Sequence, residues 1–477
     1  MGHHDGTPPE GIDYSRKWFV LIAIGMAIFL GTLDGSIVNV ALPTLVDEFD
    51  TTFSVAQWVV LAYLLTQTTL TLGFGRLGDM IGKKPIFTAG FGIFTIGSVL
   101  AGLSPTIGFL IAARVVQAFG AAMIFALGFA ITTESFPPSE RGKALGINGT
   151  TVSLGIMAGP IIGGIILEAM DWRWIFFVNL PIGIIGTITA LKFVPNTKPK
   201  GKQRFDFAGA GSFFIGLLTF LLGLTLGQGV GFTDPRVLVL FAVSVATLIA
   251  FVLIERRVAQ PMVNLGLFES RDLTVNLITG FVAFFALSGM IFLVPFYLTD
   301  VIGLSPREIG FALGAIPISM GIVAPMSGTL SDRIGSRPVT VAGLALMTIA
   351  YGIAAFWLEG ATTVVVIVIV GLVVGLGMGI FQSPNNSAIL GSVPHDQLGV
   401  TSGMLTINRT TASVTGIAIL GALWAARTAV YAGAGEVEDA PAAAQAAGLS
   451  DTMILAAVLV GFALLLGLWA WRSRQRP

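Results

Sequence analysis

Three charged side chains interrupt long apolar stretches of the sequence, and they are the first candidates for chemistry. Asp34 is the only acidic residue placed well inside such a stretch, and Arg114 and Arg409 are the two basic ones. A charge in hydrocarbon is costly unless it is paired, protonated or turned toward water. A carboxylate that exchanges a proton beside a permanent cation can change its charge during a cycle. Asp34 and Arg114 therefore predict a proton-coupling site.

The elements that must position these charges are apolar segments as long as a bilayer is thick. The chain has 477 residues, of which 54% are apolar and 11% charged, whereas a soluble domain carries about 25% charged residues. Runs of about 20 apolar residues, enough for a helix to span a bilayer, recur along the chain. The composition predicts an all-α polytopic membrane protein. The net charge is zero and says nothing about partners; we expect the lipid bilayer to be one and nucleic acid not to be.

Catalytic and metal-binding patterns are missing from the sequence. There are no cysteines and three histidines, two of which stand near the N-terminus. The patterns His-Glu-x-x-His, Gly-x-Ser-x-Gly and the phosphate-binding loop are absent. We therefore expect no enzyme, no metal site and no cofactor, with the proton gradient as the energy source. A sensor is disfavoured because no loop is large enough for an output domain.

Fourteen apolar segments can be counted, and the basic residues orient them. The segments begin near Trp18, Val55, Lys84, Thr106, Leu145, Ile175, Phe207, Val237, Leu273, Arg307, Pro338, Thr363, Gly399 and Asp451. With the N-terminus in the cytoplasm, 20 of the 26 Lys and Arg fall on the inner side and four on the outer side. Such an excess sets membrane orientation, so we predict fourteen spans with both termini cytoplasmic. The Ala-rich outer segment 429–450 is expected to be a mobile loop.

Basic loops divide the predicted spans into two groups of six around a pair of plain apolar spans. The predicted units are a cytoplasmic N-terminus (1–17), a six-helix bundle (18–194), a basic cytoplasmic loop (195–206), two inserted helices (207–256), a cytoplasmic loop (257–272), a second six-helix bundle (273–471) and a cytoplasmic tail (472–477).

The same short pattern recurs after the second span of each group of six. Residues 75–84 read GRLGDMIGKK and residues 328–337 read GTLSDRIGSR. Glycines allow a tight turn, and the carboxylate can hold a helix N-terminus or a cation. Breaking such contacts would free one half to move, whereas the alternative is a turn with solvated charges. The predicted gating residues in these copies are Gly75, Arg76, Asp79, Gly82, Lys83, Asp332 and Arg333.

A stripe of glycines marks the fifth span. Gly155, Gly159 and Gly163 repeat every four residues, and Pro160 removes a backbone donor and bends the helix. Helices with small residues can approach closely, so these four residues are predicted to seal and gate. Ordinary packing of small residues is the alternative interpretation.

Polar and aromatic residues in other spans could line a chamber between the halves. Intramembrane polar residues normally face the bundle interior or a wet cavity, and binding pockets are mostly apolar with a few polar groups. The predicted lining residues are Asn39, Trp58, Tyr63, Gln67, Gln117, Phe381, Gln382, Asn385, Asn408 and Arg409.

Helix geometry allows the two coupling residues to meet. Asp34 lies eight residues before Leu42, near the outer end of the first span. Arg114 lies eight residues after Thr106, at the outer start of the fourth. At 1.5 Å per residue, both are about 12 Å below the outer surface. An ion pair that only holds helices together is the alternative to proton coupling.

Four segments together are similar to a known family. Residues 75–84 resemble motif A of the major facilitator superfamily. Residues 33–43, 114–122 and 155–164 resemble the first-helix signature, motif B and antiporter motif C of its fourteen-helix drug:proton antiporters, the EmrB/QacA-like group. The match covers essentially the whole chain. Two positions depart from it, since Met80 stands where motif A usually has Arg and Ala118 where motif B usually has Gly.

The resemblance implies the major facilitator fold, with alternating access of a central site to the two sides. It implies a proton-coupled antiporter of the bacterial cytoplasmic (inner) membrane that exports amphipathic, cationic or neutral, drug-like compounds and confers antibiotic resistance. A monomer is expected, with an accessory envelope protein as an alternative. A lipid or metabolite exporter on the same scaffold and proton-coupled uptake remain open, the second disfavoured by the glycine stripe. Arg409 could line the cavity, stabilise an occluded state or bond backbone carbonyls.

Overall fold

The computed structural model describes residues 14–137, 140–196, 206–258, 265–357, 364–392, 398–433 and 440–473, and these residues form α-helices and no strand. The helices are α1 (Lys17–Glu48), α2 (Phe53–Ile81), α3 (Lys83–Gly102), α4 (Ile107–Ser135), α5 (Arg141–Ala169), α6 (Trp174–Phe177), α7 (Asn179–Phe193), α8 (Phe207–Val230), α9 (Pro235–Glu255), α10 (Arg271–Phe296), α11 (Pro306–Ile334), α12 (Ser336–Trp357), α13 (Val364–Gly391), α14 (Leu398–Ala432) and α15 (Ala442–Ser473).

Fourteen of the described helical segments are long and apolar enough to cross a membrane. Only Val178 separates α6 from α7, and the two together make the sixth span. Helices predominate because lipid offers the backbone no hydrogen-bond partner, so each spanning segment must satisfy its own N–H and C=O groups. The prediction of an all-α protein with fourteen spans is confirmed, and the chain is an integral, multi-pass membrane protein.

The expectation of a mobile loop at 429–450 is wrong for part of that segment. α15 begins at Ala442, because an Ala-rich sequence forms helix readily. Its first turns are packed, since the buried Gln445 carbonyl accepts a 3.1 Å hydrogen bond from the Trp424 indole of α14. Residues 434–439 of the predicted loop lie outside the described residues.

Both copies of the repeated pattern make the same backbone turn. Gly82 and Gly335 have φ angles of 105° and 90°, where an L side chain is strained. Each N–H bonds the carbonyl four residues earlier, at 3.0 Å to Gly78 and at 2.8 Å to Ser331. The tight turn that the glycines predict is therefore present in both halves of the chain.

The two six-helix groups meet on the side of the protein where α2 begins. The charge distribution predicts that this side faces out of the cell, and we call it the outer side. Phe53 packs its ring against three aromatic residues of the second group, at centroid distances of 4.9 to 5.5 Å. Gln57, one turn deeper, is fully buried and donates a 2.9 Å hydrogen bond to the Ile417 carbonyl of α14. The outer seal, as we name this cluster, consists of Phe53, Gln57, Phe292, Phe296 and Trp424.

Replacing Gln57 with Leu is expected to weaken the outer seal. The change removes a hydrogen bond worth about 0.5–1.5 kcal/mol, so opening on the outer side should become roughly three- to tenfold more frequent. Because the chain contains no cysteine, a single cysteine replacing Gln67, deeper in α2, can report opening. Its reaction with an impermeant maleimide added outside should accelerate by about the same factor.

Val55→Ala, at an exposed position of the same helix, is the control for this prediction. Equal labelling rates in the Gln57→Leu and Val55→Ala variants would contradict the outer seal.

The two inserted helices lie against the junction of the halves. α8 packs against both α2 and α14, and α9 packs against α8. Ser244 of α9 holds this hairpin together by donating a 2.8 Å hydrogen bond to the Gly216 carbonyl of α8. α8 therefore contacts both α2 and α14, the two helices that the Gln57–Ile417 hydrogen bond of the outer seal joins.

Candidate functional site

Asp34 and Arg114 form an ion pair in the interior of the first six-helix group. Arg114 Nη1 of α4 lies 2.5 Å from Asp34 Oδ2 of α1, and the side chains are 1% and 0% exposed. The sequence allowed these two residues to meet because their counted depths agree, and the structure brings them into contact. Burial matters because a charge pair removed from water is weakly screened, and losing one partner leaves the other uncompensated.

Two amides complete the surroundings of the carboxylate. Gln117 Nε2 donates to Asp34 Oδ1 at 2.7 Å, and Asn179 Nδ2 donates to the same oxygen at 2.8 Å. Gln117 is itself oriented, since its Oε1 accepts from Arg114 at 2.5 Å and its Nε2 also donates to Ser98 Oγ at 2.7 Å. We call Asp34, Ser98, Arg114, Gln117 and Asn179 the coupling network. It joins α1, α3, α4 and α7.

The guanidinium of Arg114 is held on its other faces as well. Its Nε donates a 3.1 Å hydrogen bond to the Val59 carbonyl of α2. Its carbon atom Cζ lies 4.1 Å from the ring centre of Tyr63, which is 1% exposed. An aromatic face attracts a cation, and more strongly where water is excluded. Arg114 thus ties α2 to the network.

The geometry restricts how Asp34 can be protonated. All three groups that contact its oxygens are hydrogen-bond donors, and a protonated carboxyl needs an acceptor for its new O–H. Asp34 is also wholly buried in this state, so a proton from water cannot reach it without a rearrangement. Protonation therefore requires a rearrangement of the groups around Asp34.

The glycine stripe of α5 packs on the helix that carries Asp34. A Cβ added at Gly155 would overlap the Thr32 hydroxyl, and one at Gly159 would overlap Ser36 and lie 2.8 Å from the Ile37 backbone nitrogen. Gly163 follows the same line along Ile37. The close approach predicted for the stripe is observed, and its partner is α1 on both sides of Asp34.

The opposite edge of α5 contacts the second six-helix group. A Cβ added at Gly164 would lie 2.6 Å from the Pro306 carbonyl oxygen of α11 and 3.1 Å from Arg307 Cα. The Pro160 carbonyl in turn faces Gly310 of α11 closely enough to overlap an added Cβ. α5 therefore lies between the carboxylate-bearing helix and the other half, which is where a gating element would have to act.

The predicted chamber residues divide into exposed and buried sets. Trp58, Gln382, Asn408 and Arg409 are half-buried and accessible in this state. Six others are buried: Asn39, Tyr63, Gln67, Gln117, Phe381 and Asn385.

Three of these residues do not line a chamber in the described structure, which corrects their predicted role. Gln117 belongs to the coupling network, and Tyr63 covers Arg114. Phe381 is 1% exposed and packs in the interface of α12 and α13, where a Cβ added at Gly343 would lie 2.8 Å from its Cβ. The physical reason is the same for all three: in a membrane bundle, polar or aromatic character marks an inward face without saying whether that face meets water or another helix.

Ion pairs flank the two repeated turns in different ways. Next to the first turn, Lys83 pairs with Glu134 of α4 at 2.8 Å. At the second turn, Arg337 pairs with Asp272 of α10 at 2.5 Å. Each turn is thus anchored to its own half by a charge after the glycine.

Other predicted gating residues remain predictions. Arg333 is exposed, and a Cβ added at Gly75 would meet no atom within 4 Å. Arg76 is half-buried. The side chains of Asp79 and Asp332 lie outside the described part of the structure.

Sequence reasoning missed Asn179, Ser98 and the Val59 carbonyl. Asn179 is fully buried where α7 begins, and Ser98 is fully buried in α3. Isolated polar residues in apolar spans were the available signal, since such residues face the bundle interior. Their common partner could not be read from spacing, because they lie on different helices.

Comparison with known proteins identifies the family. A family model described as Major Facilitator Superfamily matches residues 24–417 and 276–476. The riboflavin transporter RibZ of Clostridioides difficile (strain 630) is 38% identical over 416 residues, which cover 86% of this chain and 89% of that protein. The multidrug resistance protein Stp of Mycobacterium tuberculosis (strain CDC 1551 / Oshkosh) is 32% identical over 407 residues, covering 85% and 75%.

A solved structure shares the fold at low sequence identity. The crystal structure of a bacterial homologue of the human lysosomal transporter Spinster, inward-facing and unoccupied, matches with a TM-score of 0.67 and 17% identity, covering 96% of this chain and 97% of that one. Both the sequence matches and the fold describe a membrane carrier rather than an enzyme. The chain belongs to the major facilitator superfamily and is a transporter.

Proposed function

We propose that the protein is a proton-coupled antiporter of the bacterial cytoplasmic membrane that exports amphipathic small molecules by alternating access. The observation that carries this proposal is the buried Asp34–Arg114 pair, held by donors from α4 and α7. Among the described residues, Asp34 is a wholly buried carboxylate on a helix that packs against α5, and α5 contacts the other half.

The coupling follows from the network and the glycine stripe. A proton on Asp34 cancels the charge that holds Arg114 and turns one accepting oxygen into a donor. The donors around Asp34 must then separate, and α1 shifts against α5, which packs on it through Gly155 and Gly159. Because α5 also contacts α11, the shift reaches the other half. Moving one charge through the membrane potential supplies about 2.3 kcal/mol per 100 mV.

The relatives support the amphipathic substrate class. Multidrug resistance protein Stp and the riboflavin transporter RibZ both align over most of this chain. Riboflavin is a planar, heteroaromatic compound, so transport of a flavin-like metabolite is a second candidate, favoured by the 38% identity of that relative. Asp34 gives no reason to prefer cationic substrates, because Arg114 already neutralises it.

Transport by purified protein in proteoliposomes tests the proposal. Liposomes with the protein inserted are given an imposed pH gradient and loaded with riboflavin or with one of a set of fluorescent amphipathic dyes. We expect the compound to move against its gradient only while protons move in the opposite direction, and expect collapse by a protonophore. Movement that is unaffected by the pH gradient would overturn proton coupling, and riboflavin moving alone among the compounds would favour the second candidate.

A further inference from the structure

Arg409 of α14 differs from the other intramembrane arginine in having no ionic partner. Within the described part of the chain it forms no ion pair and donates no hydrogen bond, and its one aromatic neighbour is Phe284 of α10, whose ring centre lies 5.7 Å from Cζ. Arg114, by contrast, contacts a carboxylate, an amide, a carbonyl and a ring. Arg114 therefore has a countercharge and hydrogen-bond acceptors within the protein, whereas Arg409 has neither among the described residues.

Arg409 stands well inside α14 and is half-buried. Its side chain therefore keeps an accessible surface within a membrane-spanning helix. This position fits energetics, since an unpaired cation in a dry interior would be very costly. The accessible part of Arg409 therefore has to face water or a polar group rather than lipid.

The depth of Arg409 places it beneath the outer seal. Gln57 binds the Ile417 carbonyl in the seal, and Arg409 precedes Ile417 by eight residues on α14. At 1.5 Å per residue it lies about 12 Å further toward the inner side. A solute held at Arg409 would therefore be shut off from the outer side in this state, as a transported substrate must be.

The carboxylates that the structure describes deep inside the helices are paired with other arginines. Only two described carboxylates stand more than two turns from both ends of their helices, Asp34 and Asp451. Asp34 is paired with Arg114, and Asp451 is paired with Arg427 at 2.5 Å. An anionic solute that reached Arg409 would supply a countercharge that neither of these carboxylates offers.

Amide groups from α13 and α14 lie against α10, the helix that carries Phe284. Asn408, which precedes Arg409 in α14, donates a 2.9 Å hydrogen bond to the Leu277 carbonyl of α10. The Nδ2 atoms of Asn385 and Asn408 lie 3.2 and 3.6 Å from the place where a Cβ would stand at Gly280. Asn385 is 3% exposed and its Oδ1 has no hydrogen-bond partner. Glycine at this position leaves room for both amides.

We propose that Arg409 binds an anionic group of the transported compound, a carboxylate or a phosphate, while Phe284 packs against its aromatic or apolar part. This inference rests on the proposed transport function and adds the charge class of the substrate. The planar fork of arginine donates two parallel hydrogen bonds to such groups. Binding would replace the water around Arg409 with a countercharge, which removes the obstacle to closing the halves around it.

Two dyes on one scaffold test the charge preference directly. Fluorescein is anionic at pH 7.5 and rhodamine 123 is cationic, and both are xanthenes, so fluorescence polarisation with the purified protein in neutral detergent compares them without a gradient. We expect tighter binding of fluorescein to the wild type. Arg409→Gln should weaken fluorescein binding by about ten- to a hundredfold and leave rhodamine 123 unchanged or tighter. Arg409→Lys should retain part of the affinity, because it keeps the charge and loses the fork.

A surface charge provides the matched control. Arg236→Gln removes one positive charge at a side chain that is 69% exposed, and it should change neither dye. Failure of the wild type to bind fluorescein, or an equal loss of both dyes in Arg409→Gln, would overturn the proposal. If charge-selective binding persists but no pH gradient drives transport, the proton-coupled function fails while the role of Arg409 stands.

Discussion

Asp34→Asn and Arg114→Gln are each expected to lower the free energy of unfolding by about 3–5 kcal/mol, because each leaves a buried, uncompensated group. The double variant should be less destabilised than the sum of the two, since it leaves no charge behind. A strong positive coupling energy in this double-mutant cycle is the signature of a fully desolvated pair. Thermal or denaturant unfolding in detergent measures it.

The surface pair Arg427–Asp451 is a matched control with the same 2.5 Å separation but side chains that are 40% and 22% exposed. Arg427→Gln and Asp451→Asn should show little coupling, because water screens exposed pairs. Equal coupling in the two cycles would contradict the picture of a dry network.

The transport behaviour of the same variants separates coupling from mere support. The double variant, which lacks both charges, should fold but fail to respond to an imposed pH gradient. Its gradient-driven transport should fall by about a hundredfold or more, because coupling to the proton gradient requires a group that binds and releases a proton. A purely structural pair would instead regain transport along with stability. Recovery of gradient-driven transport in the double variant would contradict the proton-coupling role of Asp34.

Gly159→Ala is expected to slow transport strongly and to destabilise the packing of α5 on α1. The added Cβ would overlap the Ser36 hydroxyl and sit 2.8 Å from the Ile37 backbone nitrogen. Backbone atoms of a packed helix cannot move aside, so α5 and α1 must separate, and overpacking of this kind costs about 1–3 kcal/mol or more. The expected result is a loss of at least tenfold in transport rate, measured in proteoliposomes with equal protein inserted.

Gly149→Ala is the control on the same helix, because no atom lies within 4 Å of the position its Cβ would take. It should transport like the wild type, as an exposed helix position gains slightly from Ala. Equal activity of the two alanine variants would show that the approach of α5 to α1 is not required.

The spans and the central pair could be predicted from sequence for identifiable physical reasons. Long apolar runs are unambiguous in a membrane protein, and counting residues from helix ends gave Asp34 and Arg114 the same depth. The repeated glycines predicted the turns at Gly82 and Gly335, because their positive φ angles exclude most other residues.

Other features of the site depend on which helix faces meet, and sequence does not fix that here. Membrane helices are apolar on most faces, so the pattern that orients a soluble helix is weak. Asn179 is a site residue that the sequence did not predict, and Phe381 is a predicted lining residue that the structure packs between helices. Asn179 joins the network without a spacing signal, and Phe381 packs between α12 and α13 although it stands beside polar residues.

The position of α8 makes the two lateral faces of the transporter unequal. α8 packs against both α2 and α14 at one seam between the halves, whereas at the other seam α5 and α11 pack directly on each other. A compound dissolved in the bilayer therefore meets the inserted α8 along one seam and the packed helices α5 and α11 along the other. The two faces thus offer a lipid-dissolved substrate different surfaces.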